Sequence, residues 1–368
     1  MALIPTTILT GFLGAGKTTL LNRILQEQHG MKIAVIENEF GQENIDHEIL
    51  VQDTREQIVE MSNGCICCTV RGDLIVALGN LIARRNAGEI DFERVVIETT
   101  GLANPGPVAQ TFFMDEEIGM HYMLDAVVTL VDARHAMQQL DEHEEAQRQV
   151  GFADKILLSK TDLSDPESVQ ALRSRLIHMN PRATIGEVHF GKVDIREVFD
   201  LKGFHLNAKL ELDPDFLKAS GHDEHDHHDH HDHDGHDCDE HCSHDHGHQH
   251  DHAHGHEHKH QHNHHDSHHS DDIAAFVFRS ARPFNTAKLD EFLGGMVQVF
   301  GPRMLRYKGV LYMENAERKV IFQGVHQIMG TDLGMKWEDG ETKQSKMVFI
   351  GKNLPKEALI AGLEQCLV

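Results

Sequence analysis

The sequence predicts an α/β fold: a doubly wound domain with a mostly parallel sheet, followed by a smaller α+β C-terminal domain. Three observations carry that prediction. Short apolar runs alternate with helix-like segments over the first 200 residues, and a glycine-rich turn joins the first run to the first helix. Between about residues 221 and 272 the composition changes completely, after which strand-like sequence resumes. Strands with no polar alternation are buried on both faces, the mark of a parallel sheet covered by helices.

Taken in order, TTILT (6–10) is a β-branched run that feeds a glycine-rich turn and then the helical stretch KTTLLNRILQEQ. KIAVIE (32–37), RVVIET (94–99), AVVTLVD (126–132) and KILLSK (155–160) read as further buried strands. Helices at 70–86, 134–150 and 166–179 supply the crossovers. Later, IAAFVFRS (273–280) is a strand and 286–299 a helix. LRYKGVLYM, RKVIFQGV and KMVFIG are strands, and 355–366 is a closing helix. The expected organisation is 1–205, a linker at 206–272, and 273–368.

The formal charge of −25 over 368 residues is concentrated locally, because residues 222–270 hold thirteen Asp or Glu against one Lys. An acidic chain argues against general nucleic-acid binding, which needs cationic patches to meet phosphate. The N-terminus MALIPTTILTGF lacks a basic leader region, and its apolar run is too short to span a membrane. Six cysteines, three of them crowded, do not resemble a disulfide framework. A reducing cytoplasm, without membrane or nucleic-acid partners, is the expected setting.

GFLGAGKT (11–18) fits G-x-x-x-x-G-K-[ST] between a strand and a helix. Gly11, Gly14, Ala15 and Gly16 let backbone N–H groups curl around a β-phosphate, and Lys17 reaches the β- and γ-phosphates. Thr18 would place its hydroxyl on Mg²⁺. RVVIETTG ends a buried strand with Glu98, which would hold Mg²⁺ through water or orient an attacking water; Gly101 would let a backbone N–H approach the γ-phosphate. In SKTD (159–162), Asp162 would accept from a guanine base while Lys160 lays its stem over it. The usual guanine signature begins with Asn, and Ser159 stands there, so the tetrapeptide leaves both GTP and ATP open.

SNGCICCTV (62–70) places Cys65, Cys67 and Cys68 within four positions. Thiolates suit Zn²⁺, and a two- or three-thiolate site completed by a carboxylate or imidazole would suit transfer better than storage. In extended chain Cys65 and Cys67 point one way and Cys68 the other, so binding one ion requires a turn. Burial as packing residues and redox chemistry are the competing readings. Residues 222–269 carry 23 of the 32 histidines, among them His227, His230 and His233, together with Cys238 and Cys242. With almost no apolar residues this stretch should be disordered without metal, and it would bind Zn²⁺, Ni²⁺, Cu²⁺ or Co²⁺ with poor selectivity.

These segments, with IENEFG (36–41), NGCICC (63–68) and RYKG (306–309), resemble the CobW-like P-loop GTPases, a family of zinc metallochaperones, and look closest to its YjiA branch. The resemblance covers about 1–205 and 273–368. It implies a GTPase of low intrinsic turnover that uses GTP and Mg²⁺, handles Zn²⁺ (or Co²⁺ or Ni²⁺) and delivers it to a client metalloprotein. By position it assigns Gly14, Gly16, Lys17, Thr18 and Thr19 to phosphates and Mg²⁺, and Lys160 and Asp162 to the base. Glu37, Cys65, Cys67 and Cys68 become the internal metal site, and a nucleotide-dependent homodimer becomes an expectation. Two other readings remain beside it: a metal buffer with a vestigial GTPase, and a P-loop phosphotransferase acting on a small molecule. Arg306, Lys308 and His326 are left unassigned between client contact, closure over the metal site, and ordinary packing.

Overall fold

The computed structural model describes residues 3–27, 29–37, 57–60, 69–204, 271–338 and 340–368, with backbone alone at 57–60 and 69–71. Seven strands form the first sheet: β1 (Ile4–Gly11), β2 (Ile33–Glu37), β3 (Gln57–Glu60), β4 (Arg94–Glu98), β5 (Tyr122–Asp132), β6 (Lys155–Ser159) and β7 (Thr184–Val188). Their order is β3-β2-β4-β1-β5-β6-β7, with every pairing parallel. The expected parallel sheet is present, extended by two strands that the apolar runs did not reveal. β7 (TIGEV) is half-exposed and short, so it has no continuous apolar signature.

Alternate residues of the central strands feed opposite cores. Ile8, Ile36, Val95, Ile97 and Val127 face one side, while Leu9, Val35, Val96 and Val128 join Leu20, Leu21 and Ile24 on the other. The latter three come from helix α1 (Lys17–Gln26), whose apolar residues fall on one face. Helix α2 (Thr69–Asn86) covers the opposite face. Helix α3 (Pro105–Met114) starts with Pro105 at its first position, and the Asn104 side chain accepts from Gly106 N. A short helix α4 (Glu116–His121) leads into β5.

The helix expected at 134–150 is two helices, α5 (Ala136–Glu142) and α6 (Glu144–Phe152). His143 between them is extended, at φ −130° and ψ 115°, and its ring stacks on Phe12 at 4.7 Å. A local ring contact with the loop after β1 overrides helical continuity. Helix α7 (Pro166–Met179) has the predicted bounds, with Asp165 capping Ser168 N.

The second sheet contains β8 (Ile273–Ser280), β9 (Met304–Leu311), β10 (Arg318–Val325), β11 (Ile328–Lys336) and β12 (Ser345–Lys352) in the antiparallel order β11-β10-β9-β12-β8. Helices α8 (Thr286–Phe300) and α9 (Lys356–Gln365) cover one face, burying Leu289, Leu293, Leu359 and Leu363 against Phe276, Tyr307 and Phe349. The other face shares a core with the first sheet: Ile273, Leu305, Val325, Val348 and Ile350 cluster with Val150 and Phe152. Among the described residues, no helix is long and apolar enough to cross a membrane.

Candidate nucleotide and metal site

The phosphate loop lies where β1 ends at the centre of the sheet, the place at which open α/β sheets bind ligands. Gly11, Gly14 and Gly16 have φ of 143°, 75° and 98°, which only glycine adopts freely. Their reasons differ. A Cβ on Gly11 would collide with the Leu130 carbonyl of β5, whereas one on Gly14 would meet nothing within 4 Å. Gly11 therefore lets the strand pack, and Gly14 and Gly16 shape the turn.

Lys17 is buried and donates from Nζ to the Gly11 carbonyl at 2.9 Å. Burial pushes its ammonium below the ordinary lysine value, with Glu98 opposing. Thr18 Oγ1 donates to Glu98 Oε1 at 2.8 Å, joining the first turn of α1 to the end of β4. The hydroxyl and the carboxylate are both hard oxygen donors, the set Mg²⁺ prefers. Glu98 is 8% exposed. Gly101 packs so closely on the loop that a Cβ there would sit 2.7 Å from Leu13 N. Gln149 of α6 fixes this segment, donating to the Gly101 and Ala103 carbonyls at 3.1 and 3.0 Å.

On the other side of the loop, Ser159 Oγ donates to the Ala15 carbonyl at 2.8 Å. The serine that stands in place of asparagine thus ties the segment expected to meet the base to the phosphate loop through its hydroxyl. Lys160, at φ 58°, stretches over the loop and donates to Gly14 O at 2.9 Å and to Asp132 Oδ2 at 2.7 Å. Burial raises the Asp132 carboxyl, but hydrogen bonds from Lys160 and His135 outweigh it and hold the group below its usual range. A cavity of about 230 Å³ opens beside these residues, lined by Gly16, Thr19, Lys160, Asp162, Phe190 and Gly191 among others. Phe190 is 85% exposed and has φ 48°. Sequence reasoning missed Asp132, Gln149 and Phe190. Asp132 is signalled by a carboxylate at a strand's end, as Glu98 is. Nothing in the sequence marks the other two.

Glu37 ends β2, and the parallel register pairs it with Glu98 on β4. Cys65, Cys67 and Cys68 lie outside the described residues, as do His227, His230, His233, Cys238 and Cys242. Among the described residues, no group of three or more His, Cys, Asp or Glu is placed to hold a metal ion. Arg306 is a junction residue: it donates to Phe152 O and Asp154 Oδ2 at 3.0 and 2.9 Å and to Gly203 O at 3.0 Å. His326 packs edge-on against Phe152, at 5.3 Å between ring centres.

Residues 5–187 match the CobW/HypB/UreG nucleotide-binding domain, and residues 273–367 match the cobalamin synthesis protein cobW C-terminal domain. The zinc chaperone YjiA of Escherichia coli K12 is 37% identical over 366 residues, covering 98% of this chain and 99% of its own. The chain belongs to the CobW/HypB/UreG family. The zinc chaperone CobW of Pseudomonas aeruginosa is 32% identical over 400 residues, covering 100% of this chain and 92% of its own. The crystal structure of Zn(II)-bound YjiA GTPase from E. coli superposes with a TM-score of 0.73 at 32% identity, covering 100% of both chains. The expected fold and the expected GTPase agree with these comparisons, as does the cofactor set of GTP, Mg²⁺ and Zn²⁺.

Proposed function

We propose that this CobW-family GTPase loads Zn²⁺ at Glu37, Cys65, Cys67 and Cys68 and releases it to a client metalloprotein under nucleotide control. The observation that carries this reading is the pairing of Glu37 with Glu98 across β2 and β4. Glu98 accepts from Thr18, so the carboxylate proposed for the metal site neighbours the one proposed to stand beside Mg²⁺. Whatever displaces Glu98 on nucleotide exchange acts next to Glu37.

Lys17 would trade its bonds to the Gly11 and Phe12 carbonyls for the β- and γ-phosphates. Thr18, with Glu98 behind it, would hold Mg²⁺, which when bound neutralises charge developing on the phosphate oxygens. Asp162 would accept from guanine, Lys160 would cover one face of the base and Phe190 the other. The histidine-bearing residues 222–269 serve as a low-selectivity collector for the thiolate site.

Linkage supplies the test. If GTP tightens Zn²⁺ binding, Zn²⁺ tightens GTP by the same factor. Titrating Zn²⁺ into the protein with a Mg²⁺–GTP analogue, with GDP, and without nucleotide is expected to give different affinities. Identical affinities in all three states would remove nucleotide control. Deleting residues 221–270 is expected to lower metal stoichiometry and leave GTP hydrolysis intact.

A further inference from the structure

The steps proposed above leave one buried carboxylate beside the phosphate loop unused. Asp132, at the end of β5, is 2% exposed, and the parallel register sets it beside Ser159, the residue before Lys160. Its oxygens divide between two tasks. Oδ1 accepts from the Arg134 backbone N–H at 3.0 Å, which fixes the turn out of β5. Oδ2 accepts from Lys160 Nζ at 2.7 Å and meets His135 Nδ1 at 3.0 Å.

A lysine has a long flexible stem and normally leaves its ammonium in water. Here the ammonium is tethered twice, donating to Gly14 O on the phosphate loop as well as to Asp132. The side chain still exposes 38% of its surface, along the cavity that it lines with Asp162 and Phe190. Held at its tip by Asp132 and the phosphate loop, and at its root by the end of β6, the stem forms a fixed wall of that cavity. Ordering a free stem against a ligand costs rotamer entropy at the moment of binding; a stem already pinned has lost it in advance. A carboxylate pins best, because a charge-assisted hydrogen bond is roughly twice as strong as a neutral one.

We propose that Asp132 is a positioning residue for nucleotide binding: it pins the Lys160 ammonium on the phosphate loop, so that the lysine stem is set against the base before nucleotide arrives. This role deepens, and rests on, the reading of Lys160 as the cover of one face of the base. The stem meets the ring and not its edge, so Asp132 adds affinity without choosing between bases. That choice falls to Asp162, at the edge.

Fluorescence titration of the full chain with mant-labelled GDP and IDP tests this, since IDP lacks guanine's exocyclic amine. Asp132→Asn keeps an acceptor for Arg134 N and removes the charge that holds Lys160. Lys160→Met keeps an apolar stem and cuts the same tether from its more exposed end, where folding is not at stake. Each should weaken GDP and IDP by the same factor, about tenfold, and the double variant should be no worse than Lys160→Met. In GTP hydrolysis the loss should appear in KM with kcat held, the mark of a contact made equally before and during the reaction. Wild-type affinity in Lys160→Met or in folded Asp132→Asn, effects that multiply in the double variant, or a loss confined to GDP would overturn the proposal. Lys160→Ala separates it from the reading beneath. Full affinity there would mean that Lys160 does not cover the base, and both would fall; a loss in Lys160→Ala with none in Lys160→Met would strike out Asp132 alone.

Discussion

Ser159 shows how much one atom can decide. Its hydroxyl closes a 2.8 Å bond to the Ala15 carbonyl, so the segment proposed to bind the base stays tied to the phosphate loop without the usual asparagine. Ser159→Ala should cost about 1 kcal/mol in urea unfolding, the ordinary value of one such bond, and should also lower GTP affinity. Phe190 makes the opposite case. Being almost fully exposed, it contributes little to the fold, so Phe190→Ala should leave the melting temperature unchanged. Loss of base stacking should weaken a fluorescent GDP analogue by about 1–3 kcal/mol. Unchanged nucleotide affinity in that variant would remove Phe190 from the base site.

At the scale of elements, α3 connects the two halves of the molecule. It begins four residues after Gly101, which touches the phosphate loop, and its Gly106 lies against His326 and Phe152. A Cβ on Gly106 would approach His326 Nε2 to 2.7 Å, so Gly106→Ala should destabilise by about 1–3 kcal/mol through overpacking in thermal unfolding. Elements of this kind were only partly legible in the sequence. The glycine-lysine pattern identifies the loop because backbone sterics leave few residue choices there. The bounds of α7 follow from Asp165 and Pro166. β11 (IMGTDLGMK) escaped detection because an exposed edge strand needs no apolar run. The break at His143 and the bonds of Gln149 depend on tertiary neighbours that no local pattern encodes. The pairing of Glu37 with Glu98 could not be read either, since it requires the strand order.

For the whole molecule, the junction between sheets governs stability. Arg306 satisfies two carbonyls and Asp154, and its guanidinium lies 3.6 Å from the centre of the Phe204 ring. Arg306→Met should cost about 3 kcal/mol or more in denaturant unfolding, since it strips the nearest partner from a buried carboxylate. Acid should loosen the same junction. Burial pushes the His326 imidazole below its ordinary value, against the pull of the Gly301 carbonyl. The folded chain then binds fewer protons at this site than the unfolded chain, so stability rises with pH across the window below ~6.5 and is lost as pH falls through it. His326→Gln should flatten that slope when unfolding is compared at about pH 5.5 and 7.

The two flanks of residues 205–270 are both anchored. Gly203 and Phe204 are held by Arg306, and Asp271 is held by Arg175 at 2.6 Å. For any flexible loop between two fixed ends, closure entropy grows only with the logarithm of its length, about 0.6 kcal/mol for each doubling. Deleting residues 221–270 is therefore expected to leave the unfolding midpoint of the chain little changed. On the collecting role proposed for residues 222–269, the number of imidazoles, and with it the capacity for metal, could then vary without any change in the residues proposed to read GTP.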